Sequence, residues 1–67
     1  MKILILTKRE RHVAKLVMQG MSNKQVARAL GICEGTVKVH LHSAYTKLGA
    51  ANRVQLFNII KQERVGA

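Results

Sequence analysis

Apolar residues recur along this chain in four blocks at the three- and four-residue spacing that lines one face of a helix, and glycine or a cluster of small and polar residues separates each block from the next. The first block is Val13, Leu16 and Val17. Thr7-Lys8-Arg9-Glu10 stands before it with the form of a capping box, so a helix is predicted from Lys8 to about Gln19, closed by Gly20. Ser22 opens the second block, with Gln25 at the matching box position. Its buried stripe is Val26, Ala27 and Leu30; the helix ends near Leu30, Gly31 turns the chain and Ile32 drops into the core. The third helix is predicted from about Glu34 to Leu48, with Gly49 as its stop. The fourth starts near Asn52 and continues through Val54, Leu56, Phe57 and Ile60 to about Gln62. Arg64 to Ala67 is expected to fray. Residues 1–6 carry no helix-start signal and read as a leader, a linker remnant or a short extension packing on the core, leaving residues 7–67 as the domain.

The second and third blocks meet the geometric demands of a helix-turn-helix. Two helices that cross closely need a small residue at the contact, and Ala27 supplies it. The turn needs a residue free to take positive φ four positions later, which is Gly31. The second helix of the pair needs an apolar residue six positions after that, which is Val37. In this motif the second helix enters the DNA major groove.

Turning the third helix by about 100° per residue separates its faces. Val37, Leu41, Ala44, Tyr45 and Leu48 form a buried stripe. Val39, Gly35, His42, Ser43 and Thr46 centre the opposite face, with Lys38 on one flank and Thr36, His40 and Lys47 on the other.

Composition narrows the reading. The chain has 67 residues, enough for one domain, and a formal net charge of +9 from twelve Lys and Arg against three Glu. Hydrophobic residues make up 48%, so this is a folded basic domain and not a disordered basic tail. Such a charge favours polyanions, above all nucleic acid, over an anionic membrane. The absence of proline and the low aromatic content point to an all-helical chain. A single cysteine allows no internal disulfide and fits a reducing compartment, the cytoplasm. No apolar run approaches the ~20 residues of a membrane span. Ile3 to Leu6 is too short for a signal-peptide core. There is no aspartate, so no phosphorylated aspartate that switches the protein on can lie in this stretch.

Each candidate contact has an ordinary reading beside the functional one. Val39 is either incidental surface or a partner for a thymine methyl group. Lys38 is a solvated lysine on an ordinary helix, but here it is long enough to reach guanine O6 and N7. Thr36, in the first turn, can hold a phosphate with its hydroxyl and the nearby backbone N–H groups. Ser22, Asn23 and Lys24 open the preceding helix, where at least one is expected to touch phosphate; Ser22 as a cap alone is the plainer alternative. Lys47 is a second phosphate clamp. Arg9, Arg11 and Lys15 supply a general positive field.

The stretches LTKRE (Leu6–Glu10), QGMSNKQVARALGI (Gln19–Ile32), EGTVKVHL (Glu34–Leu41) and KLGAANRVQL (Lys47–Leu56) resemble, in order and spacing, the C-terminal DNA-binding domain of LuxR/NarL-type bacterial transcription regulators. The resemblance covers nearly the whole chain from Leu6 to about Gln62. It implies an all-α, four-helix helix-turn-helix domain, winged-helix-like but without a wing. Such a domain binds double-stranded DNA as a homodimer, is usually attached to a receiver or ligand-sensing domain, and can also meet RNA polymerase. It implies no cofactor, no metal and no small-molecule ligand. By position, groove reading falls on Lys38, Val39 and His42, and backbone contact on Thr36, Asn23 and Lys47. The dimer contact falls on the exposed side of the fourth helix, at Ala51, Asn52, Gln55, Asn58 and Ile59. Four departures stand out: Cys33 where Ser or another good N-cap is usual, Gln25 for Glu, His42 where Lys is frequent, and Ala51 at a common Ser cap, which leaves Asn52 to cap.

Three rival functions compete with this one. An enzyme needs a constellation of catalytic groups, and none is present. His40 and His42 point about 160° apart on a helix and cannot share a metal. Cys33 reads as a turn cysteine, with no base placed beside it, and His12 as a surface or boundary residue. A decoy that dimerises with a larger regulator would show a disabled recognition face, yet Lys38 and Thr36 are intact. The promoter-reading domain of a sigma factor has a similar motif, but the passage from Leu48 through Arg53 into a further amphipathic helix favours the LuxR/NarL type.

Overall fold

The computed structural model describes residues 5–65, which form four helices: α1 (Lys8–Met18), α2 (Asn23–Leu30), α3 (Glu34–Leu48) and α4 (Arg53–Val65). The fold is all-α, with no strand among the described residues. The local signals that predicted these helices act as expected. Thr7 Oγ1 accepts from the Glu10 N–H at 3.1 Å while Glu10 Oε1 accepts from the Thr7 N–H at 2.8 Å. Ser22 and Gln25 repeat the arrangement at the start of α2, at 3.2 and 2.8 Å. Each box satisfies donors that the first turn of a helix leaves without partners. Asn52 Oδ1 accepts from the Gln55 N–H at 2.9 Å at the start of α4.

Gly31 closes α2 in the left-handed conformation, φ +68°, and the Ile32 N–H then reaches back to the Ala27 carbonyl at 3.0 Å. That bond folds Ile32 against the core, where it is partly buried. Gly49 ends α3 in the same way at φ +72°. A β-carbon at these angles is strained whatever space surrounds it.

Helix α3 is the centre of the packing and touches α1, α2 and α4. Its Val37, Leu41, Ala44 and Leu48 meet Val13, Ala14 and Val17 of α1, Val26 and Ala27 of α2, and Leu56 and Ile60 of α4 in one cluster of buried residues. Leu16 and Leu30, expected to face inward, are partly buried at its margin. Leu6 also belongs to the cluster, only 4% exposed, so part of the segment before α1 packs on the domain. Leu48 is among the largest fully buried side chains. Its truncation to alanine is expected to cost about 2–5 kcal/mol, a large share of what a domain this small has.

Two details differ from the expectations. Helix α4 continues through Arg64 and Val65, where fraying was expected, and residues 66–67 lie outside the described residues. Ser43, placed on the exposed face of α3 by rotation alone, is half-buried and turns toward α1.

Candidate nucleic-acid interface

The outward side of α3 is the surface that the packing leaves free. Lys38, Val39, His42 and Thr46 are exposed there, and Val39 keeps 67% of its surface in solvent. The four buried residues of α3 lock the helix by its opposite side, so this face is held in a fixed orientation. No acid stands among these residues. The one acidic residue of α3 is Glu34 in its first turn, where a negative charge complements the helix dipole.

Cys33 takes the extended conformation of an N-cap, φ −74° and ψ 149°, but its side chain makes no capping hydrogen bond. The Thr36 and Val37 N–H groups turn back to the Cys33 carbonyl, and no side chain caps the N–H groups ahead of them. Those donors, with the exposed Thr36 hydroxyl, form an end of α3 suited to a phosphate oxygen.

The start of α2 lies in the second part of the candidate interface. Ser22 acts as a cap through its oxygen, and its hydroxyl hydrogen remains free to donate. Lys24 is exposed, and Asn23 is half-buried with its Oδ1 bonded to Arg53 Nη2 at 3.1 Å. The same guanidinium donates to the Met21 carbonyl at 2.8 Å. Sequence reasoning assigned no role to Arg53. Its one signal was a cation in the first turn of a helix, an end of the dipole that disfavours it.

Lys47 stands apart from the other candidates. Its ammonium is 2.8 Å from Glu10 Oε1, and its side chain is 35% exposed against 7% for Glu10. Glu10 also accepts from the Ser43 hydroxyl at 2.6 Å and from the Thr7 N–H. The Lys47 and Ser43 hydrogen bonds, followed by the Thr7 N–H, hold the Glu10 pKa at about 2 rather than 4.5, against a smaller opposing effect of burial. A lysine ammonium has three donors, so the Glu10 pair leaves two for another acceptor.

On α4, Leu56 and Ile60 face the core while Ala51, Asn52, Val54, Gln55, Phe57 and Asn58 are exposed. Ile59 is half-buried and packs against the core cluster. Asn52 and Gln55 spend acceptor oxygens on the helix start, since Gln55 Oε1 takes the Ala51 N–H at 2.7 Å. Val54 and Phe57, absent from the expected dimer set, are 68% and 42% exposed, and Lys61 Nζ lies 5.8 Å from the Phe57 ring centroid. No group of three or more His, Cys, Asp or Glu among the described residues is arranged to hold a metal ion. No described helix is long and apolar enough to cross a membrane.

The helix-turn-helix geometry agrees with a family-level match: the model of the bacterial regulatory proteins of the luxR family covers residues 4–60. The chain belongs to the LuxR family. It is a helix-turn-helix DNA-binding domain of the kind found in transcription regulators, not an enzyme. Among curated relatives, the nitrate/nitrite response regulator protein NarL of Escherichia coli is 45% identical over 60 residues, covering 90% of this chain and 28% of the relative. The nitrate/nitrite response regulator protein NarP of the same organism is 43% identical over 60 residues, with the same shares. A protein of Aeromonas salmonicida described as an HTH-type transcriptional regulator is 45% identical over 62 residues, covering 92% of this chain and 32% of the relative. The chain thus spans about a third or less of the length of these relatives.

Proposed function

We propose that this LuxR-family domain reads a specific sequence in double-stranded DNA by laying α3 in the major groove. The observation that carries the reading is the two-sided character of α3. Val37, Leu41, Ala44 and Leu48 fix it in the core, and Lys38, Val39 and His42 project from a side that none of the described residues covers. Lys38 then addresses guanine, Val39 a thymine methyl group, and His42 a further base edge. Ser22, Asn23, Lys24, Thr36 and Lys47 meet the phosphates and set the register, and the net charge of +9 supplies the long-range attraction.

The active unit in this reading is a dimer on DNA, joined through the exposed face of α4. Exposed Val54 and Phe57 support it, since two apolar side chains three residues apart on the helix give a second copy something to bury. The domain would work as part of a longer regulator in the bacterial cytoplasm, with RNA polymerase as its further partner. The intact Lys38 and Val39 surface favours a DNA reader over a decoy that only dimerises.

Selection of binding sites from random duplex DNA, followed by affinity measurement at several salt concentrations, tests the proposal. The expected result is an enriched pair of half-sites and a steep loss of affinity with salt. An unenriched pool together with a salt slope near zero would overturn it.

A further inference from the structure

Arg53 begins α4, is exposed, and lies thirty-odd residues along the chain from both groups it holds, the Met21 carbonyl at 2.8 Å and Asn23 Oδ1 at 3.1 Å. Neither partner is charged. Of the acids whose surroundings are described, Glu10 is engaged by Lys47, and Glu34 sits in the first turn of α3. Arg53 is therefore not held by an ion pair with either. A cation at the N-terminal end of a helix is also disfavoured by the dipole. Its position is explained by the fork of the guanidinium, which reaches two acceptors at once.

Those acceptors flank Ser22, the N-cap of α2. Met21 leads the chain into the helix, and Asn23 is its first residue. The amide of Asn23 has two unlike ends: an oxygen that only accepts and an NH2 group that only donates. A phosphate offers acceptors alone, so only the NH2 end can bind it. An unrestrained amide can rotate and present the repelling oxygen. With Arg53 Nη2 occupying the oxygen, the NH2 group is turned away from Arg53 and left to donate.

We propose that Arg53 is a positioning residue for DNA binding. Its guanidinium fixes the Asn23 amide with its donors toward the phosphate and ties the start of α4 to the start of α2. The inference rests on the reading that α2 begins at the DNA backbone. It adds a physical link between the helix proposed to join the dimer and the helix proposed to sit on the phosphates. A dimer contact that shifts the beginning of α4 would then be felt at Asn23.

The test measures binding of a selected duplex by fluorescence anisotropy over a range of salt for wild type, Arg53→Ala, Arg53→Lys, Asn23→Ala and the Arg53→Ala/Asn23→Ala double variant. Helical content and melting temperature are read on each, and the exposed position of Arg53 predicts that all fold. Arg53→Ala and Asn23→Ala are each expected to weaken binding roughly 3- to 10-fold, the size of one hydrogen bond. The double variant should be no weaker than the weaker single one, because Arg53 acts through Asn23. Arg53→Lys should stay weak, because an ammonium cannot reproduce the fork, and the salt slope should hold in every variant. Wild-type affinity in Arg53→Ala, or losses that multiply in the double variant, would overturn the inference while leaving DNA binding intact. So would recovery in Arg53→Lys with a slope reduced by about 0.9 in Arg53→Ala, which marks a direct phosphate contact. Unchanged binding in Asn23→Ala would remove Asn23 from the phosphate contacts and the inference with it, while leaving Ser22 and Lys24 to place α2 at the backbone. Failure of the wild type to bind any duplex would instead remove the DNA reading itself.

Discussion

Lys47 Nζ and Glu10 Oε1 meet at 2.8 Å, joining the last turn of α3 to the first turn of α1 across 37 residues of chain. The pair does not stand alone. Glu10 receives the Ser43 hydroxyl on its other oxygen, and its capping box with Thr7 ties the same carboxylate to the start of α1. One carboxylate thus closes a helix end and braces the C-terminal half of α3. At its other end, the Cys33 side chain makes no capping hydrogen bond to α3.

The Glu10 pair predicts an acid-sensitive fold. The carboxyl pKa is held at about 2 in the folded domain, below the ordinary value of 4.5. A depressed folded-state pKa gives stability that is complete above the unfolded value and lost as pH falls through the folded one. Glu10 therefore contributes fully above about pH 4.5 and progressively less down to about pH 2. Glu10→Gln should cost roughly 1–3 kcal/mol at neutral pH. The gap to wild type should narrow on acidification across that window. Urea melts of both proteins at closely spaced pH values check this; a gap independent of pH would take Glu10 out of the linkage.

Cys33→Ser should stabilise the domain. The backbone at Cys33 already has the N-cap conformation, and only the side-chain acceptor is missing. A serine oxygen can take a first-turn N–H of α3 and is expected to add about 0.5–2 kcal/mol. Equilibrium denaturation measures the gain. No gain would mean that solvent already satisfies those donors at equal free energy.

Much of this architecture was legible in the chain because its signals are local. The Thr7 and Ser22 boxes, the Gly31 turn and the apolar stripe of α3 each act within a few residues, and the structure repeats them at the expected positions. The contacts that were not legible span 30 residues or more. Ser43 looked solvent-exposed by rotation, because helical periodicity carries no information about the carboxylate of α1 that turns it inward. Arg53 carries no sequence signal of its role for the same reason: its acceptors, Met21 and Asn23, come together with it only when the domain folds. Lys47 reads from the sequence as a phosphate clamp, with no sign of its pairing to Glu10, because sequence shows charge but not pairing.

Lys38 and Lys47 should fail in different ways when removed. Lys38 is exposed on the free face of α3 and is proposed to reach a base. Lys38→Ala is expected to cost roughly 1–3 kcal/mol on the selected site and to relax preference there. Lys47→Ala should weaken all sequences alike and lower the salt slope by up to about 0.9. It should also destabilise the fold, because Glu10 loses its charged partner. Binding titrations on the selected and a scrambled duplex, at salt concentrations where both variants remain folded, separate the two. Equal losses on both duplexes for Lys38→Ala would make it a phosphate contact. A wild-type slope for Lys47→Ala would assign that residue wholly to the brace.

The exposed side of α4 carries the remaining prediction. Val54 is 68% exposed, so replacing it should cost the monomer little. If two copies meet there on DNA, Val54→Asp places like charges at the proposed contact and removes an apolar one. Binding to a single half-site should then stay near wild type, while the extra affinity gained from a second half-site disappears. Phe57→Ala should do the same more weakly, since Phe57 is 42% exposed and its ring already lies near Lys61. Half-site and full-site duplexes titrated in parallel, with complex mass measured by sedimentation, distinguish the outcomes. A full-site complex of Val54→Asp with two protomers at wild-type affinity would move the dimer contact off this face of α4.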